Sequence, residues 1–126
     1  MRYLGIDYGS KKVGLAVSDE SGRVAFPLRV IVNDKNLLAE VVKICQQEKI
    51  DSIVCGLSLD FSGQNNPIAV DAKNFCDQLA TKTGLPLNFE NEALTSVLAG
   101  QISPRNKELD ARAAALILQR YLDRQS

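Results

Sequence analysis

The apolar pattern of this chain changes period once, and that change constrains the fold more than any other feature. Up to Val32 the apolar residues fall in short strand-like runs, 3–8, 13–18 and 23–32. The turn Asp19-Glu20-Ser21-Gly22 joins the second run to the third. Three strands joined by short turns make an antiparallel meander, and Pro27 assigns the third to an edge, because proline cannot donate to a ladder. Beyond Val32 the spacing becomes helical. Leu37, Leu38, Val41, Val42 and Cys45 form one stripe, with Asn33 or Asp34 as its cap. A buried strand follows at 50–57 and a polar loop at 59–64. A second helix opens at Asn66-Pro67, carries Ile68, Ala72, Phe75, Cys76 and Leu79 inward, and closes at Gly84. Residues 85–90 read as a fifth strand, 93–99 as a short helix and 100–108 as a loop. The last helix, 109–122, turns Ala113, Leu116, Ile117 and Tyr121 inward. This order predicts an α/β fold: a mixed five-stranded sheet, three strands antiparallel and the later ones parallel, with helices on both faces. No repeat or linker interrupts it, so residues 1–126 are expected to form a single domain.

The chain contains no histidine. That excludes a Ser-His-Asp triad, a Cys-His pair and every histidine metal site. Any catalysis must rest on carboxylates, hydroxyls, lysines or bound metal ions. Cys45, Cys55 and Cys76 lack the spacing of a disulfide framework or a zinc site and read as small buried hydrophobes. Net charge is zero, so a nucleic-acid partner would have to be held by a local basic rim. No apolar run approaches the ~20 residues that cross a bilayer. Asp7 interrupts the first apolar run too early for a signal peptide, and the chain reads as cytoplasmic.

Three acids stand out. Asp7 ends a strand predicted to be central, where ligand sites of open α/β sheets gather; an Asx turn organising Gly9-Ser10 would equally account for it. Gly9, Ser10, Lys11 and Lys12 follow directly, small residues and two cations where a phosphate could approach the backbone. Glu90, Asn91 and Glu92 follow the fifth strand, and Asp110 opens the last helix. A carboxylate in a first helical turn also has a plain dipole role. Together, however, three carboxylates at one sheet edge could hold one or two hard divalent cations such as Mg²⁺ or Mn²⁺. Two ions so held would stabilise the attacking and leaving oxygens of phosphodiester hydrolysis.

At this point the chain resembles the YqgF/RuvX family of ribonuclease-H-like proteins. The marks are L-G-I-D-Y-G-S-K-K-V-G-L-A-V-S-D at 4–19, A-F-P-L at 25–28 and G-L-S-L-D-F-S-G at 56–63, with L-D-A-R-A-A-A-L-I-L-Q-R-Y-L at 109–122. The resemblance covers residues 2–122. The resemblance implies a metal-dependent nuclease that processes pre-16S ribosomal RNA or, in some members, resolves Holliday junctions. Its three acidic positions fall on Asp7, Glu92 and Asp110, as catalytic residues and metal ligands. Gly9, Ser10, Lys11, Lys12, Arg105 and Lys107 are the candidates for substrate contact, and RNA is expected over branched DNA. The protein is expected to be a monomer or weak homodimer.

Two departures bear on activity. Where the family usually has Asp-Glu-Arg, this chain has Asn91-Glu92-Ala93, which keeps the acid and loses a guanidinium. The segment 100–108 is short and carries only Arg105 and Lys107 as basic residues. These departures motivate a rival reading as a non-catalytic RNA-binding assembly factor. A nucleotide-binding reading of the D-x-G-S-K-K-x-G segment fails for want of a second domain, since such enzymes grip nucleotide between two.

Overall fold

The computed structural model describes residues 1–57, 67–91 and 111–125. Its strands are β1 (Tyr3–Tyr8), β2 (Lys12–Ser18), β3 (Ala25–Val32), β4 (Ser52–Leu57) and β5 (Leu87–Asn91). Its helices are α1 (Leu37–Gln47), α2 (Pro67–Thr83) and α3 (Arg112–Gln125). The strands form one sheet in the order β3-β2-β1-β4-β5, antiparallel on the β3-β2-β1 side and parallel across β1-β4-β5. The mixed sheet is the one the sequence predicts. The predicted 59–64 loop, 93–99 helix and 100–108 loop lie outside the described residues.

Alternation along β1 divides the core in two. Leu4 and Ile6 join Val41, Ile44, Ile53, Phe75 and Leu79 beneath α1 and α2. Tyr3, Gly5 and Asp7 alternate with them and so turn to the opposite face, which α3 covers with Ala114, Ile117, Leu118, Tyr121 and Leu122. Contact on this second face is close. A methyl group on Gly5 would stand 2.8 Å from the Leu118 Cβ and 3.1 Å from the Ala114 carbonyl oxygen. The helix therefore packs against bare backbone, which only glycine permits.

Several boundaries shift from the sequence reading. β3 begins at Ala25 rather than at 23, because one Asp19 carboxylate oxygen accepts the N–H groups of Arg23 (2.9 Å) and Val24 (3.2 Å) and keeps both in the turn. Pro27 does lie on an edge strand, beside a bulge where Leu15 pairs with Arg29 but Ala16 with Pro27. β4 starts at Ser52, because the Ile50 N–H closes the end of α1 by donating to the Cys45 carbonyl at 3.0 Å. β5 is Leu87–Asn91, two residues later than predicted at its start. The cap of α1 is Asn36, without a side-chain bond. Asp34 instead accepts the Asn36 N–H on its carboxylate at 2.9 Å, an Asx turn ahead of the helix. Gly84, at φ +72°, ends α2 as expected, donating to the Ala80 carbonyl at 2.8 Å. On α3 the inward stripe is rotated: Ala114 and Leu118 are buried, whereas Ala113 and Leu116 are only half-buried.

Candidate active site

Parallel pairing brings the C-terminal ends of β1, β4 and β5 to one edge of the sheet, and β1 lies at the centre. Asp7 sits at that end of β1, paired with Gly14 of β2. A methyl group on Gly14 would stand 3.8 Å from the Asp7 Cβ, 3.7 Å from the Ala111 Cα and 3.7 Å from the Ala114 Cβ. Among the described residues, Asp7 thus shares its side of the sheet with Gly14 and the first turn of α3.

The direction of α3 follows from three contacts. Ala111 lies over Gly14, Leu118 over Gly5, and the Tyr121 ring meets the Tyr3 ring at 5.8 Å between centroids, tilted by 59°. The helix therefore runs opposite to β1, with its N-terminus above the strand's C-terminal end. That end of a helix carries the positive pole of its dipole.

Asp7 leads into a tight turn. A side chain on Gly9 would meet the Lys12 carbonyl oxygen at 2.5 Å, so only glycine fits. Ser10, Lys11 and Lys12 are exposed along this turn. Asn33 braces it from beyond β3: its N–H donates to the Lys11 carbonyl at 2.9 Å and its side-chain amide to the Gly9 carbonyl at 2.8 Å. The sequence suggested Asn33 as a helix cap. Its place is instead behind the turn that follows Asp7, a role with no local signal because the partner lies on another hairpin. Tyr8 turns to the other face and packs on Phe75 at 5.5 Å.

Of the predicted site residues, Asp7, Gly9, Ser10, Lys11 and Lys12 are therefore together on one turn. Glu92, Asp110, Arg105 and Lys107 lie outside the described residues. Their described neighbours are Asn91, which ends β5 opposite Leu57, and Ala111, which lies over Gly14. Among the described residues no group of three or more acids or cysteines could hold a metal ion.

One charged group was not singled out by sequence. Glu90, 2% exposed, is buried on β5 and forms ion pairs with two arginines of α3, Arg120 at 3.4 Å and Arg124. The cysteines are buried, as expected. Burial pushes the Cys45 thiol up to about 11. Cys76 is raised by its hydrogen bond with Cys55 and by burial. Neither is poised as a nucleophile.

Comparison with known proteins agrees with this geometry. The family model RuvX, described as a Holliday junction resolvase, matches residues 1–124. A relative from Oleidesulfovibrio alaskensis named "Putative pre-16S rRNA nuclease" is 35% identical over 98% of this chain and 92% of its own. A protein of the same name from Sulfurihydrogenibium is 38% identical over 99% and 92%. Among solved structures, Thermus thermophilus RuvC in complex with a Holliday junction substrate superposes with a TM-score of 0.69 at 16% identity, covering 99% of this chain and 95% of that one. The fowlpox virus resolvase in its junction complex does so with 0.60 at 14%, covering 99% of both. At such identities these structures speak for the ribonuclease-H-like fold. On sequence across almost its whole length and on fold, the chain belongs to the RuvX family of ribonuclease-H-like nucleases.

Proposed function

We propose that this chain is a divalent-metal-dependent nuclease that trims precursor 16S ribosomal RNA in the cytoplasm, working as one domain of residues 1–126. Asp7, Glu92 and Asp110 are the catalytic acids and metal ligands. The observation that carries the reading is the position of Asp7. It is a carboxylate at the C-terminal end of the central strand, paired with Gly14 on the side of the sheet that Ala111 and Ala114 cover. The donor chemistry fits the group: a set of carboxylates without histidine suits a hard cation such as Mg²⁺ or Mn²⁺. When bound, the ion would supply an activated water and neutralise charge on the leaving oxygen. The protein's own share is to hold the carboxylates at fixed distances. Asp7 does so from the middle of a sheet, and Asn33 fixes the turn after it. Gly9, Ser10, Lys11 and Lys12 would meet the substrate's phosphates, joined by Arg105 and Lys107.

The test is cleavage of a labelled precursor 16S rRNA end in Mn²⁺. Wild type should cut it and folded Asp7→Asn should not, since asparagine keeps the shape of the side chain and loses the charge. Unchanged turnover by Asp7→Asn would refute the site. A second arm carries a synthetic four-way DNA junction, which the resolvase description of the family favours as substrate. The segment 100–108, with only Arg105 and Lys107 as basic residues, offers little to grip a large branched duplex. Symmetric nicking of the junction with the RNA intact would exchange the substrates. Binding without cleavage of either would favour the assembly-factor reading that Ala93 motivates.

A further inference from the structure

Glu90 and Asp7 lie on the same row of the sheet. Ile6 pairs with Cys55 and Cys55 with Phe89, so one residue further along Asp7, Gly56 and Glu90 stand in line. Leu87 and Phe89 pack into the core beneath α1 and α2, so Glu90 turns to the α3 side with Asp7. With strands ~4.8 Å apart, the two backbone positions are about 10 Å from one another. Gly56 puts no side chain between them.

The Glu90 carboxylate is 1% exposed, whereas its partners Arg120 and Arg124 are 40% and 61% exposed. A buried carboxylate needs one cation to offset its charge. Here two guanidiniums converge on it, one more than its own charge requires. The carboxylate holds both planar groups by part of their donors while much of each faces solvent. A guanidinium has five donors, more than one shared carboxylate can take up. The result is an ordered cationic platform on a neutral protein, on the flank of the row that begins with Asp7.

We propose that Arg120 and Arg124, anchored by Glu90, form a binding point for a backbone phosphate of single-stranded RNA, away from the cleaved bond along the α3 face. The assignment rests on the nuclease reading for the identity of the ligand. The anchoring removes part of the entropy that a free arginine loses on binding.

The experiment measures binding apart from cleavage. A fluorescein-labelled single-stranded RNA is titrated with wild type, Arg120→Gln, Arg124→Gln and Arg124→Lys in EDTA, over a series of NaCl concentrations. Each lost phosphate contact lowers the slope of log K against log salt by about 0.7, which at 0.1 M salt is roughly a fivefold loss of affinity. Arg124→Gln should show that loss with its fold intact by thermal melt, because Arg120 still pairs with Glu90. Arg124→Lys, which keeps the charge, should retain most of the slope. In Mn²⁺ the glutamine variants should raise KM and leave kcat near wild type. Slopes equal to wild type in both glutamine variants would overturn the proposal and reduce the cluster to an internal clamp. If neither wild type nor any variant cleaves RNA yet the slopes still differ, the nuclease reading fails and the phosphate contact stands.

Discussion

Replacing Gly5 with alanine tests whether bare backbone is what lets α3 reach β1. The added methyl would stand 2.8 Å from the Leu118 Cβ and 3.1 Å from the Ala114 carbonyl oxygen. Neither atom can swing aside, since one is fixed to the backbone and the other belongs to it. The helix or the strand must move, and overpacking of this kind typically costs about 1–3 kcal/mol. Alanine returns roughly 0.4–1 kcal/mol by restricting the unfolded chain. The net loss is about 1–2 kcal/mol. Unfolding entropy near 2.1 cal/mol/K per residue gives about 0.26 kcal/mol/K for 126 residues, so the melting temperature should fall by roughly 4–8 °C. Gly14 supplies the control. A methyl there meets Ala111 and Ala114 at 3.7 Å, ordinary contact, and Gly14→Ala should melt within about 2 °C of wild type. Both are read by circular dichroism at 222 nm with scanning calorimetry. Equal melting temperatures for the two variants, or Gly5→Ala within a degree of wild type, would refute the close-approach argument.

Metal should stabilise the fold. At free Mn²⁺ ten times its Kd the gain is RT ln 11, about 1.4 kcal/mol, or roughly 5 °C, and Asp7→Asn should abolish it; equal shifts in both proteins would put the ion elsewhere. Asp19 is held at about 2, below its ordinary 3.8, chiefly by hydrogen bonds from Ser21, Arg23 and Val24. Its contribution is therefore present above pH 3.8 and lost as pH falls towards 2, and Asp19→Asn should flatten that acid limb in a pH series of thermal melts. Cys45, Cys55 and Cys76 are all buried away from solvent, and the pKa values of Cys45 and Cys76 are raised besides. The native protein should thus resist an aromatic disulfide reagent at pH 8, and the unfolded chain should release three equivalents.

The strands and the first two helices were legible because their apolar patterns carry both period and phase. β1 is bounded as read, and α2 starts at Pro67 and ends before Gly84. Where phase was missing, so was the answer. Residues 113–118 read A-A-A-L-I-L, apolar at every position, so periodicity cannot say which side turns inward. Contact with Gly5 and Gly14 decides it, through Ala114 and Leu118. Strand starts failed where a hydrogen bond from another element claimed the first residues, as Asp19 does for Arg23 and Val24. The turn 9–12 was legible from its composition, but its brace was not, because Asn33 reaches it across the sheet. Glu90 looked like one more acid at a strand end. Its partners lie 30 and 34 residues further on, beyond the reach of any local pattern.

The antiparallel run of α3 along β1 has a temporal meaning as well. The central strand leaves the ribosome well before the helix that covers its second face, which is the last of the described elements. At about 5–20 residues per second, the interval of roughly 100 residues lasts some 5–20 s. Until then Gly5, Val54 and Ala16 have no cover on that side, and Asp7 stands without the helix start that adjoins it. The meander and the α1/α2 face can condense early from neighbouring segments, whereas docking of α3 closes the longest loop in the fold. A nascent chain is therefore structured on one face of its sheet well before α3 docks on the other, and the surroundings of Asp7 are completed only with that last described helix.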